Sequence, residues 1–132
     1  MSPPAQSGAG EARTLCVCAD DFGLSEGVNQ AVLALIERGA VTAPSCMVLR
    51  SAWLPGARRL RVLPAQQLDV GLHLDLSAVD ASPAEASLGS LVLRSFGRQL
   101  DLAAVRAAVD AQLDRFEQAM GRPPAHVDGH RH

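Results

Sequence analysis

The segment TLCVCADDFGLS, residues 14–25, decides the fold of this chain, because it combines a strand, an acidic pair and the start of a helix. Residues 14–19 are apolar and partly β-branched, as in a buried strand. Asp20 and Asp21 follow directly, and Ser25 is placed to cap a helix. The segment therefore predicts the first part of a β-α-β unit, with two carboxylates at the carboxyl end of its strand.

Strand and helix patterns alternate along the rest of the chain. The predicted elements are, in order, a helix from Ser25 to Gly39, a strand over 45–49, a short exposed helix over 52–63, a strand over 68–76, a helix from Asp101 to Gly121 and a strand over 125–130. The connection over 77–89 has no assigned structure. The alternation predicts an α/β fold of parallel β-α-β units, in which functional side chains gather at the carboxyl ends of the strands.

Length and composition predict one domain at most. The chain has 132 residues, 48% of them hydrophobic, which is enough for a modest core. Residues 1–13 are rich in Ser, Pro, Ala and Gly without an apolar run, and we expect a disordered leader there and a folded domain over 14–132. No apolar run reaches the roughly 20 residues of a membrane span. We therefore expect a soluble, cytoplasmic protein that does not bind membranes.

Charge and aromatic content argue against nucleic-acid binding. The net charge is -2, only 3% of residues are aromatic, and there is no tyrosine. The sequence therefore offers neither a phosphate-neutralising surface nor a stacking platform. All 12 basic residues are arginine, which excludes mechanisms that need a Schiff-base or phosphate-binding lysine in this chain.

The three cysteines, Cys16, Cys18 and Cys46, lie in apolar runs. Their odd number and surroundings favour buried thiols in strands of a reduced protein. A Cys-x-Cys metal site at Cys16 and Cys18 is the alternative. It has no second cysteine pair, and two residues on one strand face do not complete a coordination shell.

The four histidines fall in two short segments beside carboxylates, His73 in GLHLD and the other three in HVDGHRH, residues 126–132. Strand periodicity places His126, Asp128, His130 and His132 on one face. A row of imidazoles with a carboxylate is a poor choice for a core and a suitable one for metal binding or acid/base chemistry. The acidic pair, the segment of His73 and residues 126–132 each lie at or just after the end of a predicted strand. We therefore expect all three at the same edge of the sheet.

The three blocks ADDFGLS, VGLHL and HVDGHRH occur in the same order as the signature blocks of the YdjC-like carbohydrate deacetylases, and the chain resembles that family from Arg13 to its last residue. The resemblance implies the N-terminal half of a (β/α) barrel-like fold and metal-dependent removal of acetyl groups from N-acetylated sugars. Relatives are about twice as long, and a closed eight-stranded barrel takes ~250 residues.

The resemblance also implies roles for individual residues. Asp21, His73 and His130 match the metal ligands, and Asp20 matches the catalytic base. The motif positions His126, Asp128 and His132 are candidates for substrate binding or acid/base work. The implied cofactor is one divalent metal ion, Mg²⁺ in the family, although two imidazoles and a carboxylate also suit Zn²⁺, Mn²⁺ or Co²⁺.

The short length of the chain predicts self-association and reduced activity. Half a barrel exposes unpaired strand edges and an apolar face, so we expect self-association into a homo-oligomer or aggregation. We expect the family activity on a small N-acetylated sugar from the intact protein, and weak or no activity from this piece alone. A non-catalytic metal-binding remnant is the first alternative.

Two further classes of protein compete with this hypothesis. A phosphoacceptor receiver domain also has paired acids after its first strand, but it needs an aspartate after its third strand and a later lysine. This chain has His73 there, with Asp75 two residues on, and no lysine. Metal-dependent phosphoester hydrolysis is the other, since His and Asp ligands serve both chemistries.

Overall fold

Four parallel strands form one sheet in the order of the sequence, and helices connect them. A computed structural model describes residues 15–64, 68–77 and 88–130. The elements are β1 (Cys18–Phe22), α1 (Glu26–Glu37), β2 (Ala43–Cys46), α2 (Trp53–Leu60), β3 (Gly71–Leu74), α3 (Leu88–Phe96), α4 (Leu102–Met120) and β4 (Val127–Gly129). This is the predicted α/β fold of parallel β-α-β units.

Both long helices begin where the sequence indicates. The Ser25 hydroxyl accepts a hydrogen bond from the Val28 N–H at the start of α1. The Asp101 carboxylate accepts from two free N–H groups at the start of α4. Gly121, with φ 71°, ends α4 in the left-handed conformation. These signals are local, and the sequence therefore located them correctly.

The buried faces of the helices depend on tertiary packing. In α1, Leu33 is buried while Leu35 is 40% exposed. The helix α2, which we expected to be exposed, buries Trp53 and Leu60 against the core. The reason is that α4 packs on both β3 and α2, so that the Trp53 ring stacks on Phe116 at 5.7 Å.

The strands are shorter than predicted or shifted along the chain. β1 begins at Cys18, four residues after the predicted start, and contains the acidic pair that we placed beyond its end. Its pairing with β2 slips between Ala19 and Phe22, and Asp21 takes a positive φ of 63°. This irregularity falls at the carboxyl end of the strand, where such features commonly re-aim a side chain.

Two of the three cysteines are not buried. Cys16 and Cys18 are exposed, and only Cys46 is buried as predicted. The cause is topological, because β1 is an outer strand of the sheet and, in the described part of the chain, pairs on one side alone.

β4 is the other outer strand, so both lateral edges of the sheet are open among the described residues. Val127 on β4 is 54% exposed. Such edges are available for pairing with another chain, and self-association stays a prediction.

Some predictions fall outside the described residues. They are the disordered leader over 1–13 and His132. In the parts that the structure describes, no helix is both long enough and apolar enough to cross a membrane.

Candidate metal centre

Asp21 is aimed by the backbone at the end of β1. Its positive φ is unusual for a residue other than glycine, though Asp tolerates it better than most. The turn that follows is fixed because Leu24 N–H donates to the Asp21 carbonyl at 3.0 Å. Asn29 holds the same turn from α1: its Oδ1 accepts from the Gly23 N–H at 2.6 Å and its Nδ2 donates to the Ala52 carbonyl at 2.9 Å.

His73 lies on β3 and is almost completely buried, with 3% of its side chain exposed. Its two ring nitrogens face different partners. Nδ1 is 2.8 Å from Asp128 Oδ1 on the neighbouring strand β4. Nε2 faces Asp21 Oδ1 at 3.5 Å and His130 Nδ1 at 3.3 Å. The Nδ1–H donated to a carboxylate leaves Nε2 as the nitrogen with a free lone pair.

His130 directly follows β4. Its backbone N–H donates to the Leu74 carbonyl at 2.9 Å, which extends the pairing of β3 and β4 by one residue. Its ring meets the His73 ring edge to face, with 5.2 Å between centroids. Its Nδ1 lies 3.2 Å from Asp21 Oδ1.

Three donor atoms therefore form a nearly equilateral triangle: Asp21 Oδ1, His73 Nε2 and His130 Nδ1, with edges of 3.2, 3.3 and 3.5 Å. Ligands about 2.0–2.2 Å from a four-coordinate ion lie about 3.3–3.6 Å apart. Asp21 Oδ1 is buried and accepts no hydrogen bond despite the two nearby rings. An orphaned carboxylate oxygen facing two imidazole nitrogens is a donor set that fits a divalent metal ion.

Asp128 contacts His73 through Nδ1, the ring nitrogen that does not belong to the triangle. Its Oδ1 accepts hydrogen bonds from the Ser45 hydroxyl on β2 and from His73. Burial raises the pKa of the Asp128 carboxyl, but these two hydrogen bonds and the neighbouring imidazoles outweigh burial and hold the pKa below its ordinary value. Asp128 is therefore ionised and fixes the ring of His73, as the outer carboxylates of metal-bound histidines do.

Asp20 lies on the exposed side of the same site. Its carboxylate, His73 and Asp128 offer donor atoms within 4.8 Å of one another. The Cys18 thiol donates a weak hydrogen bond to Asp20 Oδ1, with 3.4 Å between sulfur and oxygen. The two adjacent acids thus differ in surroundings: Asp21 faces the imidazoles, and Asp20 is open to solvent.

His126 lies beside Asp128, and the two side chains offer donor atoms within 4.8 Å of each other. Its ring covers Gly71 on β3, and a β-carbon on residue 71 would overlap the imidazole. Gly71 therefore allows the close approach of His126. His126 Nε2 is buried without a hydrogen-bond partner.

The sequence did not single out an ion pair beside the triangle. Arg50 Nη2 contacts Asp75 Oδ2 at 2.6 Å. Burial raises the pKa of Asp75, but hydrogen bonds from Ser77 and electrostatic interactions with Arg50 and His130 lower it overall. Gln112 of α4 binds both the N–H and the carbonyl of Asp75 at 3.0 Å. A buried glutamine within an apolar helix face is the signal that could have found this pair.

The chain is similar to known proteins over almost its whole length. The model of the family described as YdjC-like protein matches residues 14–132. The chain belongs to the YdjC-like family. Two curated relatives, both named chitooligosaccharide deacetylase, are also similar to most of the chain. The chain is 34% identical over 128 residues to the protein of Proteus mirabilis (strain HI4320) and to that of Serratia marcescens.

This YdjC-like chain spans about half the length of the curated relatives it matches. The alignments cover 92% and 91% of the chain and 50% of each relative. A solved structure from Enterococcus faecalis V583, described as a cellobiose-phosphate cleavage protein, superposes with a TM-score of 0.64 at 24% identity, over 87% of this chain and 47% of that one. The fold is therefore half of the fold of that neighbour.

Proposed function

We propose that the protein removes acetyl groups from N-acetylated carbohydrates by hydrolysis, with one divalent metal ion held by Asp21, His73 and His130. The observation that carries this proposal is the triangle of three donor atoms with an orphaned carboxylate oxygen at one corner. The named relatives support the substrate class, since they are chitooligosaccharide deacetylases. The metal is Mg²⁺ by family resemblance, and the imidazole-rich donor set also suits Zn²⁺, Mn²⁺ or Co²⁺.

A divalent ion at this position would supply Lewis acidity for the amide carbonyl and acidify a water molecule. The chain's own residues supply the rest. Asp128 holds His73 in one tautomer through Nδ1. Asp20, exposed beside the triangle, takes a proton from the attacking water as general base, a contribution of roughly 10²–10⁴-fold.

The test is acetate release from N-acetylated chitooligosaccharides by the 132-residue chain, measured with Mg²⁺, Mn²⁺, Co²⁺ or Zn²⁺ and with a chelator. We expect slow, metal-dependent release that Asp20→Asn abolishes without weakening metal binding. Asp114→Asn, on the exposed side of α4, is the matched control and should leave release unchanged.

Other outcomes separate the competing hypotheses. Metal binding without acetate release from any of these substrates would support a non-catalytic metal-binding protein. Release of phosphate from a phosphorylated disaccharide, with no release of acetate, would support phosphoester hydrolysis instead. Failure to bind any divalent ion would refute the metal centre itself.

A further inference from the structure

A second group of donor atoms lies on the same face of the sheet as the triangle. It consists of Cys18 on β1, His126 immediately before β4, and Asp128 on β4, and we refer to it as the Cys18 cluster. One donor atom from each side chain lies within 4.8 Å of the other two. The sulfur comes from β1, and the nitrogen and oxygen come from β4 and the residue before it, at opposite ends of the strand order.

The position of His126 makes this meeting geometrically feasible. Because residue 71 has no side chain, the imidazole of His126 lies directly against β3. There its Nε2 is buried and makes no hydrogen bond with any residue that the structure describes. A buried imidazole nitrogen without a partner is costly unless something else satisfies it.

The Cys18 cluster differs from the Cys-x-Cys alternative, because it contains Cys18 without Cys16. Two cysteines on one strand face cannot fill a coordination shell, but a thiol, an imidazole and a carboxylate from separate strands offer three ligands of a four-coordinate site. The triangle of Asp21, His73 and His130 contains no sulfur. A thiolate favours soft or borderline ions, whereas Mg²⁺ prefers oxygen.

We propose that Cys18, His126 and Asp128 form a second divalent cation site, which prefers thiophilic ions such as Zn²⁺ and Cd²⁺ over Mg²⁺. On binding, a metal–sulfur bond replaces the S–H bond of Cys18, and the released proton passes to solvent. Without an ion the thiol stays protonated, because partial burial and the nearby carboxylates raise the pKa of Cys18 to about 11. Asp128 also accepts from His73, so it connects the Cys18 cluster to one residue of the triangle.

Cadmium is the probe for this site, because its bond to sulfur produces a charge-transfer absorption in the ultraviolet. We would titrate the 132-residue chain with Cd²⁺ in excess Mg²⁺ and follow this band. We expect the band to saturate at one equivalent, to disappear in Cys18→Ser, and to need at least about 10-fold more Cd²⁺ in His126→Ala, since one ligand is lost. Cys16→Ser and His130→Ala should keep the band, since neither residue belongs to the Cys18 cluster.

Three results would overturn the proposal. They are no band in the unmodified chain, a band that survives Cys18→Ser, and a band that Cys16→Ser removes but His126→Ala leaves unchanged. The last result would assign the sulfur bond to the exposed Cys16–Cys18 pair. His126→Asn, which retains a polar group of smaller size, serves as the second variant if the alanine variant fails to fold by circular dichroism.

Discussion

Replacing Asp128 by Asn tests how far the metal centre depends on a residue outside the triangle. The change keeps the size of the side chain and removes its charge. The carboxylate accepts from the Ser45 hydroxyl and from His73 Nδ1 at 2.8 Å. In the variant, one amide oxygen replaces a carboxylate in the hydrogen bond that orients the His73 ring, and the ring becomes a weaker ligand.

Loss of such an outer carboxylate costs about 10–100-fold in metal affinity, or about 1.4–2.7 kcal/mol. The Asp128 side chain is 30% exposed, so solvent screens part of its charge and we expect the lower end of this range. The assay is calorimetric titration with Mn²⁺ in a Cys18→Ser background, in which the triangle is the one site under study. The expected result is an increase in Kd of about tenfold with unchanged stoichiometry.

Asp75→Asn is the matched control, because Asp75 is also a buried strand-end carboxylate but pairs with Arg50. It should lower stability while changing the Mn²⁺ affinity much less than Asp128→Asn does. Equal affinities of Asp128→Asn and the parent protein would refute the argument that Asp128 positions His73. Equal losses in both variants would show a general effect of charge in place of a specific hydrogen bond.

Three further predictions concern stability and pH. Gly71→Ala places a methyl group where it overlaps the His126 ring, and urea unfolding should show a loss of about 1–3 kcal/mol of unfolding free energy. The control Gly97→Ala should cost less, because its new β-carbon meets nothing closer than 3.4 Å. The pKa of Asp75 is lowered in the folded chain, so its contribution to stability is present above the ordinary aspartate pKa of about 3.9 and is lost as pH falls through the lowered value. The slope of the unfolding free energy against pH in acid should therefore be smaller in Asp75→Asn. An unchanged slope would contradict this. Asp101→Ala should destabilise the chain by about 1 kcal/mol in thermal unfolding through loss of the α4 cap, and Asp101→Asn, which still accepts hydrogen bonds, should recover most of it.

The sequence was sufficient for features that depend on neighbouring residues. The helix caps at Ser25 and Asp101 form within three residues of the capping side chain. The alternation of strands and helices likewise depends on local periodicity, and the parallel sheet follows from it. The order of the three signature blocks indicated the YdjC-like family, and the family match over residues 14–132 confirmed it.

The resemblance named Asp21, His73 and His130 as metal ligands, and this role stays a prediction. The fold brings donor atoms of the three side chains within 4.8 Å of one another. The sequence did not identify Ser45 as part of the centre. Its hydroxyl donates to Asp128, which is 83 positions away along the chain, and no residue near Ser45 in the sequence indicates this contact.

The tertiary structure alone decided strand register and the surroundings of each side chain. The slip between β1 and β2 and the positive φ of Asp21 determine where its carboxylate points. The outer position of β1 exposes Cys18, and the bare backbone of Gly71 determines where His126 lies. The physical reason is the same in each case: helix caps satisfy hydrogen bonds within a few residues, whereas register and burial depend on strands that meet only after the whole chain has folded.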